Sequence, residues 1–441
     1  EVMKMNKKEF IKIYKEYSHR VITTKVVMAL ASSADHIIAA TFISSAVLAA
    51  ITLINPMLFF IFAFAFMFAS GLSSYIGLLL GKKEIDTANK TASFILLIFT
   101  VIAALLSVFT SVNASKVASL LGASGEYHRI ATVYLKYLSI AFFPQMISVV
   151  LDGLIMNDGS PKYNFRVNII TLVMNVVLNM IFVIVFKQGV VGLAIATLIS
   201  HSYHLIADIY YLAYKSKTIK IKRPKRNYSA LKRVLYNGSS DFLGVFIEAI
   251  MIYVVNLSIL KFLPSEYLEA YAASAVFTLF ITKIYLGSQY GLQPISSKLM
   301  GQEKYDELRE LFIFSVKRSA VYAIGFYIAL IPVAWFGLPY FLDNPQIVKT
   351  AFLLYLGVGF AIVLSNIGIQ SSVFFTAINR PIESLAIAVI RTLILIPAFS
   401  YTMIWMFKFT GIALGFLIPE ILLTIGFIYY FKRLDLAGLK V

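Results

Sequence analysis

Gly71-Leu72-Ser73-Ser74 runs on through Gly81, Lys82 and Lys83 to Asp86, and 220 positions later Gly291-Leu292-Gln293-Pro294 runs through Gly301 and Gln302 to Asp306. Both stretches close a long apolar run with a glycine and a short charged turn. The offset recurs further on: Asn157-Asp158-Gly159-Ser160-Pro161 faces Asn379-Arg380-Pro381, and Pro161 to Pro381 is again 220. A fixed offset over half a chain reads as internal duplication. Weak self-similarity between the halves of an apolar chain is how many secondary transporters are built, with the substrate site between the halves.

Composition places these repeats in a bilayer. Of the 441 residues, 59% are hydrophobic and only 14% are charged, where a soluble domain carries roughly a quarter charged residues. A helical span needs about 20 apolar residues, and the chain has many such runs. Backbone polar groups in lipid must be satisfied internally, which leaves helices or a closed barrel. The runs are continuous rather than alternating, so an all-α polytopic membrane protein is expected. The net charge of +17 resides in the loops. It is read as orientation by the positive-inside rule and contact with anionic membrane lipid, with no nucleic-acid partner expected. With no cysteine in the chain, disulfides, thiol catalysis and thiolate metal sites are excluded. The polar, lysine-rich start is not expected to be a cleaved leader.

Twelve spans are expected at 19–41, 45–80, 87–112, 127–156, 164–186, 190–214, 238–262, 268–299, 307–333, 348–378, 383–407 and 411–431. Met5 to Tyr17 is expected as a lysine-studded interfacial helix. Alternate loops separate by charge. One side holds Lys4, Lys7, Lys8, Lys12, Lys15, Arg20, Lys82, Lys83, Lys162, Arg166, Lys304, Arg309, Arg380, Lys432 and Arg433, together with the basic loop 215–237. The other side has only Lys116, Arg129, Lys187, Lys261 and Lys408. Both termini and the basic loop are therefore expected to be cytoplasmic in a multi-pass cell-membrane protein. The domain reading is an N-lobe at 1–214 (interfacial helix plus spans one to six), a basic cytoplasmic linker at 215–237 and a C-lobe at 238–441. Six spans per repeat keep both halves in one orientation, which predicts a pseudo-two-fold axis along the membrane normal.

A charge at membrane depth is costly, so each is a functional candidate. Asp35 lies inside the first span. Its functional reading is a carboxylate that alternates between charged and neutral, or ion-bound and free. Glu248 and Lys283 lie mid-span in adjacent spans of the second half, where one buried ion pair would serve as structural glue or as part of a substrate cavity. Asp152 is about one turn from the end of span four and is expected to reach water. His36 is expected to be a packed histidine. Asn175 and Asn179, four apart, share one face of span five, and Thr197 lies inside span six. The repeat fails at these polar positions: 220 residues after Asp35, Asn175 and Asn179 stand Val255, Leu395 and Phe399.

The order of short motifs resembles the multidrug and toxic compound extrusion (MATE) family. They are Asp35-His36-Ile37-Ile38, Ala49-Ala50, Asn55-Pro56, Gly71 to Gly81-Lys82-Lys83, Asn175-Val176-Val177-Leu178-Asn179, Gly192-Leu193-Ala194-Ile195-Ala196-Thr197 and Gln293-Pro294 to Gly301, and they cover nearly the whole chain. The resemblance implies antiport by alternating access: Na+ or H+ moves inward while an amphipathic, often cationic organic compound is expelled. It implies an ion site at Asp35, Asn175, Asn179 and Thr197, which would be the only metal site, for Na+. In some members a span-seven glutamate carries the ion chemistry, and Glu248 matches it. Two departures stand out. Asn179 occupies a position where the family pattern has an aspartate, leaving one carboxylate in place of two. Residues 19–34 also lack the proline at which the family's first helix bends.

No cofactor is expected beyond the coupling ion, no catalytic residue is assigned, and a monomer is expected. One rival is a lipid-linked oligosaccharide flippase of the same superfamily, which needs several buried cations for pyrophosphate; only Lys283 and Arg391 qualify. A membrane enzyme is a second rival, but His19, His36, His128, His201 and His204 show no catalytic constellation: His201 and His204 share a face without an acidic partner motif. A channel is a third, and no filter-like segment is present.

Overall fold

A computed structural model describes residues 10–23, 38, 42–43, 45–264, 266–340, 342 and 344–434. Among these residues the regular structure is helical throughout, with no strand. The elements are α1 (10–23), α2 (Ser45–Gly81), α3 (Ile85–Val112), α4 (Ala114–Leu120), α5 (Gly125–Asn157), α6 (Pro161–Asn179), α7 (Gly189–Tyr210), α8 (Tyr228–Phe262), α9 (Glu266–Gly301), α10 (Tyr305–Gly337), α11 (Pro345–Leu364), α12 (Asn366–Ala377), α13 (Pro381–Ala388), α14 (Ile396–Phe407) and α15 (Phe409–Arg433). Eleven helices among the described residues are long and apolar enough to cross a membrane, matching expected spans two to twelve. Most of the expected first span lies outside the described residues.

The chain forms two compact units, one of Val26–Gly238 and the other of Ser239–Val441 with Glu1–Lys25. In the first unit α5 is central and packs on α2, α3 and α7. Its core includes Leu135, Phe142 and Ile147, with the rings of Phe68 and Phe99 4.7 Å apart. In the second unit α9 packs on α10, α11 and α12, and α15 on α11 and α14. Here Tyr285 Oη donates to the Val363 carbonyl at 2.9 Å and Tyr355 Oη to the Tyr327 carbonyl at 2.7 Å. Each buried phenol thus has the partner its burial demands.

The duplication is written in the backbone. Lys83 (φ 64°) and Glu303 (φ 60°) both have positive φ just past a helix end, as do Gly159 (φ 89°) and Asn379 (φ 60°), and Lys187 (φ 51°) and Lys408 (φ 52°). The two members of the first pair sit in the same hydrogen-bonded turn. The Glu84 N–H reaches back to the Leu79 carbonyl and the Lys304 N–H to the Leu299 carbonyl, at 2.9 and 3.0 Å. This five-residue return ends a helix by satisfying its last carbonyls. Pro161 and Pro381 then start the next helices at their first turn, where a missing N–H costs nothing.

The opening motif also has a packing role. A Cβ on Gly71 would lie 2.1 Å from the Val234 carbonyl oxygen, so only glycine lets the start of α8 cross α2. Its counterpart Gly291 faces Ser18 and Tyr14 of α1, at 3.2 and 3.3 Å from a built Cβ. α1 therefore occupies against α9 the place that the start of α8 occupies against α2. This corrects the interfacial reading of 5–17 for its described part. Phe10, Tyr14 and Tyr17 are buried, and Tyr14 Oη is 2.6 Å from Ser288 Oγ. α1 groups with the second half of the chain, not with the first as its sequence position suggests.

The basic segment expected as a linker at 215–237 is fastened to the first unit. Asp158 accepts the N–H groups of Lys217 at 3.0 Å, Thr218 at 2.7 Å and Ile219 at 2.9 Å, and the Tyr211 hydroxyl at 2.6 Å. Asn89 accepts the Lys220 N–H and donates to the Thr218 carbonyl, and Ser93 Oγ accepts the Lys222 N–H. A helical turn already begins at Tyr228, so the extended strap is only about half the expected linker.

Candidate functional site

The polar residues of the fifth and sixth spans meet inside the first unit. Asn175 on α6 donates through Nδ2 toward Thr197 Oγ1 at 3.4 Å and Ser200 Oγ at 3.3 Å, both on α7. Asn179, one turn on, donates to Asn175 Oδ1 at 3.2 Å. Thr197 and Ser200 hydroxyls return to the carbonyls of Leu193 and Thr197 at 2.9 and 3.1 Å, which fixes their rotamers. Asn179 and Ser200 are buried, while Asn175 and Thr197 are half-buried. α6 gives way to a π-helical turn, Met180–Val185, immediately after Asn179; such widened turns are frequent at functional sites.

The spacing of Asn175 and Asn179 and the order of the motifs brought three of these four residues together. Ser200 was missed, although it stands three positions from Thr197 on the same helix face. The described members of the group are neutral and offer amide and hydroxyl oxygens. A half-turn of an amide presents its oxygen in place of its nitrogen, so these residues could hold a hard cation such as Na+ or hydrogen-bond a carboxyl group. Asp35, expected to complete the set, lies outside the described residues.

The second-half candidates are placed otherwise. Glu248 is exposed on α8 and Lys283 half-buried on α9. The exposure of Glu248 corrects the expectation of a buried pair between them. Arg391 is held by a partner that sequence reasoning did not find: its Nε donates to Glu420 Oε1 at 2.8 Å, and Glu420 is buried at 3% exposure. Arg391 is therefore already neutralised and adds no free cation to a pyrophosphate-binding cavity.

Two further expectations are corrected at the basic end of α5 and α7. Asp152 does not simply reach water. Its carboxylate accepts from the amides of Asn164 and Asn168 on α6 and faces His204 Nε2 at 3.3 Å. His204 also has a second acidic neighbour, Asp208, at 3.4 Å on its own helix. The signal was the i, i+4 spacing of His204 and Asp208, with Asp152 supplied from another helix. A groove of about 550 Å³ between α3, α5 and α7 is apolar, lined by Val108, Ile140, Phe143, Leu198 and Leu205 with a few serines, and offers no ionisable side chain.

A family model for MatE matches the chain twice, over residues 21–181 and 242–402. The chain belongs to the MatE family. The two matched stretches are the two copies read from the 220-residue offset, and family membership makes this MATE protein a membrane transporter and not an enzyme. Its curated relatives include the multidrug export protein MepA of Staphylococcus haemolyticus, 24% identical over 381 residues that cover 86% of this chain and 83% of the relative. MepA of Staphylococcus saprophyticus is 24% identical over 391 residues, covering 85% and 83%. The fold matches a crystal structure of MATE in the straight conformation with a TM-score of 0.90 at 20% identity, covering 96% of this chain and 95% of the other. An outward-facing conformation of a multidrug resistance MATE family transporter matches at 0.88 and 20% identity, over 98% of each chain.

Proposed function

We propose that this MATE protein is a cation-coupled antiporter, driven by H+ or Na+, that exports amphipathic and mainly cationic organic compounds by alternating access. The MepA relatives, named as multidrug export proteins, support the substrate class. The observation that carries the coupling site is the hydrogen-bonded group of Asn175, Asn179, Thr197 and Ser200. This group is neutral, rich in oxygen atoms and set in a membrane-spanning region. It suits a single positive charge brought in against the one carboxylate of Asp35. With Asn179 in place of an acid, one negative charge is available, enough for one proton or one Na+. Binding there drives transport only if the cation prefers one of the two access states, because an ion with equal affinity for both shifts nothing.

Glu248 is a second coupling candidate, and Lys283 a residue of the substrate cavity. The transporter acts as a monomer in the plasma membrane, in contact with lipid, with both termini cytoplasmic as the loop charges direct. No cofactor is needed. The flippase alternative is disfavoured by the Arg391–Glu420 pair, which removes one of its two candidate cations.

The deciding experiment is efflux of a fluorescent organic cation from proteoliposomes with Na+ and pH gradients imposed separately. One gradient should accelerate efflux several-fold, and Asp35→Asn should abolish the acceleration. Equal efflux with and without both gradients would overturn the antiport reading.

A further inference from the structure

At the basic end of the first unit lies an acid–imidazole–acid group that the coupling site does not use. His204 Nε2 is 3.3 Å from Asp152 Oδ1 and 3.4 Å from Asp208 Oδ2, and the three side chains are 7%, 16% and 0% exposed, in the order His204, Asp152, Asp208. One donor atom from each residue lies within 4.8 Å of the other two. Both oxygens of Asp208 lack a well-formed hydrogen bond among the described residues, with the Ser148 hydroxyl of α5 as their neighbour. Among the described residues no lysine or arginine pairs with either acid. A fully buried carboxylate, Asp208, beside a second that is only partly exposed, Asp152, is costly without a cation, and one imidazolium balances only half of the charge. The other groups around the cluster are neutral amides, hydroxyls and a second imidazole: Asn164, Asn168 and Tyr163 on α6, Ser148 on α5, and His201 on α7, the last with its Nε2 3.2 Å from Gln145 Nε2.

We propose that Asp152, His204 and Asp208 bind a divalent first-row metal ion of the zinc class. Zn2+ takes nitrogen and oxygen donors at about 2.0–2.2 Å in a tetrahedron, whose edges are then roughly 3.4 Å. The two distances from Nε2 have that length, and both exceed the ~2.7–2.9 Å of a direct charge-assisted hydrogen bond. A divalent ion cancels both carboxylates while His204 stays neutral and offers its Nε2 lone pair. The amides of Asn164 and Asn168 already hold Asp152 from outside, the kind of support that orients metal ligands. The partly exposed side of Asp152 gives entry and room for a water as fourth ligand. Bound metal would clamp α5 to α7 near the strap.

The test uses the full chain, free of any affinity tag, purified in detergent and stripped with a chelator. Zn2+ is titrated by calorimetry and its stoichiometry checked by elemental analysis after gel filtration. Co2+ serves as a visible-spectrum probe of tetrahedral coordination. We expect one Zn2+ per chain, an affinity loss of at least tenfold in Asp208→Asn and in His204→Gln, and little change in His201→Gln. Absence of stoichiometric Zn2+ in the unmodified chain would overturn the proposal without recourse to any variant, including the case in which the group exchanges protons only. Unchanged affinity in both ligand variants would also overturn it. Melting curves of metal-free variants separate lost ligation from lost folding.

Discussion

Asp158 holds Thr218: its Oδ1 accepts the Thr218 backbone N–H at 2.7 Å, across 60 positions of chain. With Lys217, Ile219 and the Tyr211 hydroxyl on the same carboxylate, one side chain anchors the strap that follows α7. Asp158→Ala should therefore cost about 2–3 kcal/mol, within the range for losing hydrogen bonds to a charged group. Trypsin should also cut between Lys217 and Arg226 faster than in the unmodified chain. Unchanged cleavage would show that the strap is held by other contacts.

Restoring an acid at the coupling site should alter its ion preference. Asn179→Asp adds a second carboxylate beside Asn175, and a hard monovalent cation gains more from it than a neutral group does. Na+-driven efflux in proteoliposomes should rise several-fold relative to proton-driven efflux. An unchanged ratio would place coupling outside α6 and α7.

The buried pair of the second unit should behave as a unit. Arg391→Met leaves Glu420 uncompensated and should cost about 3–5 kcal/mol, whereas Arg391→Met with Glu420→Met should recover most of that loss. Thermal melts of the two singles and the double complete the cycle. Additive losses would mean that the 2.8 Å contact carries no coupling.

The matched turns should respond alike to substitution. A β-branched residue is poorly suited to positive φ, so Lys83→Val and Glu303→Val should each destabilise by about 1–2 kcal/mol, while glycine at either position should be neutral or mildly stabilising. Effects of opposite sign at the two positions would show that the turns are not equivalent. Melting in detergent is sufficient to check this.

The architecture was legible because it rests on period and punctuation. Continuous apolar runs give spans, and glycine-plus-charge turns end them, so the expected span boundaries fell within a few residues of α3, α5 and α9. Asn175, Asn179 and Thr197 were legible as a group because helical spacing and motif order place them together. Ser200, Asp208 and Glu420 were not. Each lies in a run read as ordinary span, and its meaning comes from a partner side chain: Asn175 for Ser200 and Arg391 for Glu420, each on another helix, and for Asp208 the His204 one turn back together with Asp152 on α5. The buried role of α1 was hidden for a similar reason. Its lysines suggested a membrane surface, whereas Phe10, Tyr14 and Tyr17 on the opposite face are buried and the two tyrosines pack on α9.

The positive-φ turn residues bear on how ancient gene fusions can be traced. Lys83 and Glu303 carry opposite charges, and Gly159 and Asn379 differ in size, yet each pair keeps the same sign of φ. Lys187 and Lys408 stand 221 apart, one more than the other pairs, and still share the sign of φ. Dihedral handedness can therefore outlast both residue identity and strict numbering as a hereditary mark, and a search for fused ancestors in other chains could score it directly.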